Sequence, residues 1–394
     1  MITRFSVKGF KSLKDVDIEL GQINYFIGPN GSGKSNFLEA LGVLGAAAFG
    51  VIDDESLLRR GVRPGLPYLY KTSFKDVRFP LAISFLASSK AAEYGANIFN
   101  PLEAPSSAWT FHSESFQSGG KKLPGRGPAT AIKYHPNKGQ SAALLFDLGR
   151  DDPLSHLLST LQSYVIYTPS TQTLRGIVPD QQQSNPVGFS GGRLAEALES
   201  LLKSDEGKRY WSKLWSDLTL LIGWAESIFI TDPSKLPLSP SAASGKRVLG
   251  FRDKFMAPSR NLLSGYDASE GALYILFMAV LALHPQTPPL FAVDNADHGL
   301  NPRLARKLTE YFCTWLLEAD QSKQALLTTH NPLVLDGLPL GDDRVRLFVV
   351  DRTTAGWTAV HRIALDDKVR DLAAKGWTLS RMWIAGHLGG VPDV

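Results

Sequence analysis

One run, Gly28-Pro29-Asn30-Gly31-Ser32-Gly33-Lys34-Ser35, constrains this chain more than any other stretch. It follows the apolar residues Ile23, Tyr25, Phe26 and Ile27 and precedes a helix-forming segment, so G-x-x-x-x-G-K-[ST] is met in a strand, loop and helix context. Glycines let the backbone turn until successive N–H groups converge on a β-phosphate, and the helix that follows starts with its positive dipole end at that anion. Lys34 is placed to reach the β- and γ-phosphates. The Ser35 hydroxyl is a ligand for Mg²⁺. The expected contacts of a bound nucleotide are therefore Asn30, Gly31, Ser32, Gly33, Lys34, Ser35 and Asn36.

The 394 residues, 43% hydrophobic and 20% charged, supply enough core for one large or two modest domains. A net charge of +4 gives only weak support for a polyanionic partner, so any nucleic-acid contact must rest on a local patch. The single cysteine, Cys313, excludes an intrachain disulfide and reads as a small core-facing side chain. Met1 to Phe5 alternates like a strand, and the longest apolar run, Ala272 to Leu283, is too short to cross a bilayer. A soluble cytoplasmic protein is expected, with no membrane partner.

Residues 2 to 27 read as two or three strands around the turn Gly9-Phe10-Lys11-Ser12. A buried helix is expected from Asn36 to Ala48, and a half-buried strand from Phe74 to Ala87, with Val77, Phe79, Leu81, Ile83 and Phe85 on one face. From Tyr94 to Gln140 the pattern weakens. Within it, Gly119 to Pro128, with Lys133, His135 and Lys138, reads as a flexible basic loop, either touching polynucleotide phosphates or simply solvated. Leu144 to Asp147 and Tyr164 to Tyr167 read as strands, and the turn-rich stretch to Ser190 includes Gln181-Gln182-Gln183-Ser184. Helical segments follow at Arg193 to Lys203 and around Trp211, Trp215, Leu218, Leu221 and Trp224, whose rings are expected to pack on the core. Ser234 to Ser244 is a loop and Arg247 to Met256 a strand.

The C-terminal third is clearest. A helix from Gly271 to about His284 leads to the buried strand Leu290-Phe291-Ala292-Val293, then a helix from Pro302 to Asp320, then strands at Gln324 to Thr328 and Arg344 to Asp351. Alternation of this kind argues for a parallel sheet covered on both faces. The apolar strand ends at Asp294, where a phosphate-binding site needs a carboxylate to hold Mg²⁺ through its waters. The next strand ends near His330, where an imidazole can reach a γ-phosphate.

With these residues the chain resembles an ABC-type ATPase of the SMC/RecF/OLD group, and within it the small AAA-type-core ATPases of prokaryotic defence systems. The likeness rests on Gly9-Phe10-Lys11-Ser12, the phosphate loop, the strand ending in Asp294, Gly299-Leu300-Asn301-Pro302 at the D-loop place, and Thr329-His330. It implies an α/β P-loop NTPase with a mixed sheet, an antiparallel β-lobe and a helical insert. The domains are expected to be an N-terminal half, 1–90, an insert, 91–245, and a C-terminal half, 246–394. It adds Lys11 and Ser12 to the nucleotide contacts and implies a signature serine acting on the nucleotide of a second copy. Two candidates compete, Ser264 and Ser269. Ser269 opens the helix that leads to Asp294, 25 positions on, so Ser269, Glu270 and Gly271 are preferred, because a helix N-terminus binds phosphate.

Three departures matter. Asn295 stands where the group carries the glutamate that polarises the attacking water, and an amide takes no proton. Asp297 either substitutes for it or is a solvated D-loop carboxylate. No glutamine occupies a convincing Q-loop position. The 64 residues after His330 hold no paired-metal spacing of a nuclease domain. The tail from Trp377 to Ile384, with Gly386, Gly389-Gly390 and Pro392, either docks an effector or caps the core. The expected catalytic residues are Asp294, Asn295, Asp297 and His330, with metal at Ser35 and Asp294. The expected function is an ATP-binding, slowly hydrolysing regulator that dimerises on ATP and controls a nuclease or toxin effector in trans. The alternative is a RecF-like DNA-repair ATPase contacting DNA through the basic loop. A transporter subunit is disfavoured.

Overall fold

The computed structural model describes every residue except 73, 75–81, 128–136, 181–184, 240–244, 320–321 and 391–394, together with the side chains of Glu206 and Trp211. In chain order, β1 (Arg4–Phe10), β2 (Leu13–Glu19) and β3 (Ile23–Ile27) lead into α1 (Lys34–Phe49), α2 (Asp54–Leu58) and α3 (Pro67–Tyr70). Then come β4 (Ile83–Ser88), β5 (Ala92–Phe99), β6 (Thr110–Ser118), β7 (Lys121–Arg126), α4 (Pro153–Gln162), β8 (Val165–Tyr167) and α5 (Thr171–Leu174). Next are α6 (Leu194–Lys203), α7 (Asp205–Leu221), β9 (Ala225–Thr231), β10 (Val248–Asp253), β11 (Leu262–Ser264) and α8 (Glu270–Leu283). The chain closes with β12 (Leu290–Val293), α9 (Pro302–Ala319), β13 (Gln324–Thr329), β14 (Val345–Arg352), β15 (Thr358–Ile363), α10 (Asp367–Ala374) and α11 (Leu379–Ile384).

The central sheet has the order β15-β14-β3-β13-β12-β8, all parallel except the edge strand β15. Its strands are apolar on both faces because both faces are covered. Ile23, Tyr25 and Ile27 point into one core with α8 and α9, while Phe26 points into the other with α1. That second core is closed by the antiparallel sheet β2-β1-β4-β5-β6-β7. A third, smaller sheet, β11-β10-β9, stands before α8. Residues 91–245 thus contribute strands to all three sheets. Helix α1 is buried almost all round, and a Cβ on Gly45 would lie 2.5 Å from the Leu161 carbonyl, so only glycine lets α4 approach this closely.

Several expectations need correction. Lys121 to Arg126 is not a flexible loop but strand β7, paired with β6 across the Gly119-Gly120 turn. Arg126 is buried there because Glu114 of β6 neutralises it, with Arg126 Nε 3.2 Å from Glu114 Oε2. The strand expected at Leu144 to Asp147 is a short 3₁₀ turn over Ala142–Leu145. The β4 pattern begins at Ile83; Val77, Phe79 and Leu81 lie outside the described residues, as do Lys133, His135, Gln181 to Ser184 and Pro392. The Trp224 ring lies beyond α7, 5.4 Å from that of Phe251, and with Trp215 it packs on the core. In the tail, Met382 and Trp383 are buried and Ser380 binds Asp336 through both its backbone N–H and its hydroxyl, so α11 caps the core. Cys313 is fully buried, and burial pushes its thiol up. Among the described residues no helix is long and apolar enough to cross a membrane.

Candidate functional site

Strand β3 ends at Ile27 and α1 begins at Lys34, so the glycine-rich turn occupies the C-terminal edge of the central sheet. Gly33 has φ +108°, and a Cβ there would lie 2.1 Å from Thr358 Oγ1, so both backbone and space demand glycine. Thr358, on β15, places Oγ1 2.7 Å from both Ser12 Oγ and the Ser32 carbonyl, and Asn36 Nδ2 donates to Ser12 Oγ at 2.8 Å. The turn between β1 and β2 is thereby tied to the phosphate loop. The Ser32 hydroxyl is buried with no partner.

Lys34 is 8% exposed and donates to the carbonyls of Gly28 (2.7 Å) and Pro29 (2.9 Å). Burial pulls its ammonium below the ordinary lysine value, opposed by the charges of Asp294 and Asp297. Ser35 Oγ donates to Asp294 Oδ2 at 2.8 Å, and Thr328 donates to the other oxygen of the same carboxylate. A hydroxyl and a carboxylate side by side are hard oxygen donors. They fit Mg²⁺, which keeps several waters and takes few protein ligands. Among the described residues no cluster of three or more His, Cys, Asp or Glu could hold a metal.

Asn295 has φ +57°, one of two non-glycine residues with positive φ among those described; Lys11, at +48°, is the other. Its N–H donates to Thr328 Oγ1 at 2.8 Å, and its carbonyl accepts from Tyr274 on α8 at 3.3 Å. Asparagine tolerates this left-handed conformation better than most side chains, which gives the position a backbone reason as well as a chemical one. Asp297 is not a solvated carboxylate. It is 6% exposed, with Oδ1 lacking a partner and Oδ2 3.7 Å from Nε2 of the half-exposed His330.

One cleft is lined by Asn30, Gly31, Gly33, Lys34, Ser35, Asn36 and Asn295, together with Arg63 and Arg352. Neither arginine was singled out in the sequence. Arg352 Nε donates to the Gly31 carbonyl at 2.8 Å, and Arg63 Nε lies 2.5 Å from Glu39 Oε1. Lys11 pairs with the other oxygen of Glu39, so this buried carboxylate holds two cations beside the loop. A neighbouring hollow shares Asn36 and Arg352 and adds Lys11, Ser12 and the side chains of Tyr68 and Phe74.

Ser269, Glu270 and Gly271 do not line the loop cleft of their own chain. Ser269 is exposed and caps α8, accepting from Ala272 N, whereas the rival Ser264 is buried and donates to Asp267 at 2.7 Å. The strand on the far side of β12 is β8, and the chain leaving it carries Thr168, Pro169 and Ser170; the first glutamine after it, Gln172, is exposed in α5.

A glycine-rich turn between a central parallel strand and a helix, with a carboxylate bonded to its terminal serine, defines a P-loop NTPase fold. Residues 1–59 match a family described as an AAA ATPase domain, and residues 246–336 match an AAA domain whose description names the AbiEii toxin and the Type IV TA system. A stretch of 41 residues is 44% identical to the OLD nuclease of Thermus scotoductus; it spans 8% of that protein's length. Among solved structures, the SmcHead bound to the C-winged helix domain of ScpA superposes with a TM-score of 0.51 at 12% identity, covering 92% of this chain and 98% of that one. The Smc head domain with an extended coiled coil, bound to the C-terminal domain of ScpA and derived from Pyrococcus furiosus, gives 0.50 at 11% identity, covering 95% and 99%. The fold is that of the SMC head domains, and the matched segments resemble AAA-type ATPase domains and the OLD nuclease.

Proposed function

We propose that this chain binds ATP with Mg²⁺ in the Gly28 to Asn36 cleft. Two copies then close head to tail, with Ser269 of each on the nucleotide held by the other. What carries this reading is the Ser35–Asp294 hydrogen bond beside the folded-back Lys34, with Ser269 turned outward on the start of α8. Lys34 exchanges the carbonyls of Gly28 and Pro29 for phosphate oxygens, while Asn30 to Asn36 supply the backbone cradle. Bound Mg²⁺ neutralises phosphate charge. Ser35 and Asp294 hold it in place, and Lys11, Ser12, Glu270 and Gly271 complete the contacts of the paired site.

Asn295 orients water but accepts no proton, and buried Asp297 lies 3.7 Å from His330, so hydrolysis is slow and the nucleotide acts as a clamp. A steady-state rate in the usual enzyme range, ~1 to 10³ per second, would contradict this. Closure then controls an effector in trans, a nuclease or toxin, in antiviral defence. The match to the AbiEii-named domain and the OLD segment support that context. The DNA-repair reading is weaker, since Arg126 of its basic segment is buried on Glu114.

Sedimentation with and without a non-cleavable ATP analogue tests the proposal. A shift from one protomer to two is expected; a chain that stays single at saturation refutes it. Asn295→Glu is expected to raise turnover while lowering stability by about 1 kcal/mol, because glutamate is less at ease at positive φ. Unchanged turnover would mean that another group already accepts the proton.

A further inference from the structure

Ser269 is exposed, yet the residues on either side of it are held. The Ala268 carbonyl accepts from Arg175 Nη2 at 3.2 Å, and the Glu270 carboxylate accepts from the Thr171 hydroxyl. Both donors belong to one short segment, α5 and the residue that ends it. That segment is itself anchored. Ser170 Oγ caps α5 at Thr173 N, Thr168 N donates to the Phe189 carbonyl at 3.0 Å, and Ser170 N donates to the Ser190 carbonyl at 3.2 Å.

Upstream, the same segment is continuous with β8, which pairs in parallel with β12 as Phe291 with Val165 and Val293 with Tyr167. The backbone N–H of Asp294 donates to the Tyr167 carbonyl at 2.9 Å. Three residues, 168 to 170, therefore separate Tyr167, which accepts from the Asp294 backbone N–H, from Thr171, which donates to Glu270. Glu270 also meets the turn after Asp294 from the other side: His298 Nε2 lies 3.6 Å from its carboxylate, and a Cβ on Gly299 would lie 2.6 Å from its Cδ. Two routes from the end of β12 thus converge on the turn carrying the exposed Ser269, whose hydroxyl oxygen caps α8.

We infer that Thr171 and Arg175 are positioning residues that present the Ser269 turn to the nucleotide of a second copy and tie its orientation to the Asp294 strand of their own chain. The inference rests on the reading of Ser269 given above. Neither residue lines the cleft around Lys34, so neither touches the nucleotide bound in cis. Arg175 also carries a buried Nε without a partner, so its contribution is orientation more than a saturated set of bonds.

The test separates binding from pairing. Thr171→Val and Arg175→Met remove the two donors while keeping bulk. Affinity of the single protomer for a fluorescent ATP analogue is expected to stay within about twofold, whereas analogue-induced dimerisation weakens by roughly tenfold or more, the scale of one or two lost hydrogen bonds. Thr171→Ser and Arg175→Lys, which keep a donor, are expected to recover much of the loss. Dimerisation unchanged in both donor-less variants overturns the inference, and so does a parallel loss of analogue affinity, the mark of general damage. Ser269→Arg distinguishes the levels. If it abolishes pairing and the donor-less variants do not, this inference alone falls; if it leaves pairing intact, the reading of Ser269 falls with it.

Discussion

Lys34→Ala abolishes nucleotide binding, with affinity for an ATP analogue falling by about a hundredfold or more, as expected when a charge-assisted contact to two phosphates is removed. In the free chain the Lys34 ammonium donates to the Gly28 and Pro29 carbonyls of its own loop, with the charges of Asp294 and Asp297 nearby. The buried Gly28 carbonyl loses this donor, so the variant keeps its fold while its thermal midpoint falls by a few degrees, the scale of one lost buried hydrogen bond. Calorimetric titration with the analogue, beside a melting curve followed by circular dichroism, checks both halves. Retained affinity in a folded variant would refute the assignment of the loop.

Glu114→Ala produces the largest loss of stability, about 3 to 5 kcal/mol, because it strips the carboxylate from a buried pair. Glu114 is fully buried and accepts from Arg126 Nε (3.2 Å), the Tyr94 hydroxyl (3.2 Å), the Ser141 hydroxyl (2.5 Å) and Ala142 N (2.8 Å). Its removal leaves a buried guanidinium without its counter-charge and a fully buried phenol with only the longer contact to Ser141 Oγ, at 3.4 Å. Glu114→Gln, which keeps the shape and some bonds, falls between the two. Urea unfolding measures the series, and a loss under about 1 kcal/mol for the alanine variant would show that the network is replaceable by water.

The parts of the fold that could be read from sequence are those where a local pattern suffices. Strands β3, β12 and β13 are continuous apolar runs because both faces are buried, and the loop after β3 has residue types dictated by backbone geometry. Asp294 was legible because it ends such a run. By contrast, β5 alternates, with Tyr94, Ala96 and Ile98 inward between Glu93, Gly95 and Asn97, but the small Ala92, Gly95 and Ala96 leave the apolar face too weak to stand out. Strand β7 reads as a solvated basic stretch because nothing nearby in sequence reveals that Glu114 waits opposite Arg126. Asp297 looks like a polar turn residue, and its burial comes from elements that pack around β12 from elsewhere in the chain. Thr358, Arg352 and Arg63 reach the loop from distant or featureless stretches, and no motif marks them.

The central strand that carries the phosphate loop is made within the first 27 residues, yet both of its hydrogen-bonding neighbours, β13 and β14, come after residue 323. During synthesis, β3 therefore waits as an unpaired apolar ribbon until nearly the whole chain has emerged, a slow, long-range closure that exposes it to aggregation. A product truncated ahead of β13 lacks both flanking strands as well as Arg352 and Thr358, so ATP cannot rescue it. On the proposed reading, stabilisation by the nucleotide is expected only in chains long enough to include β13 and β14.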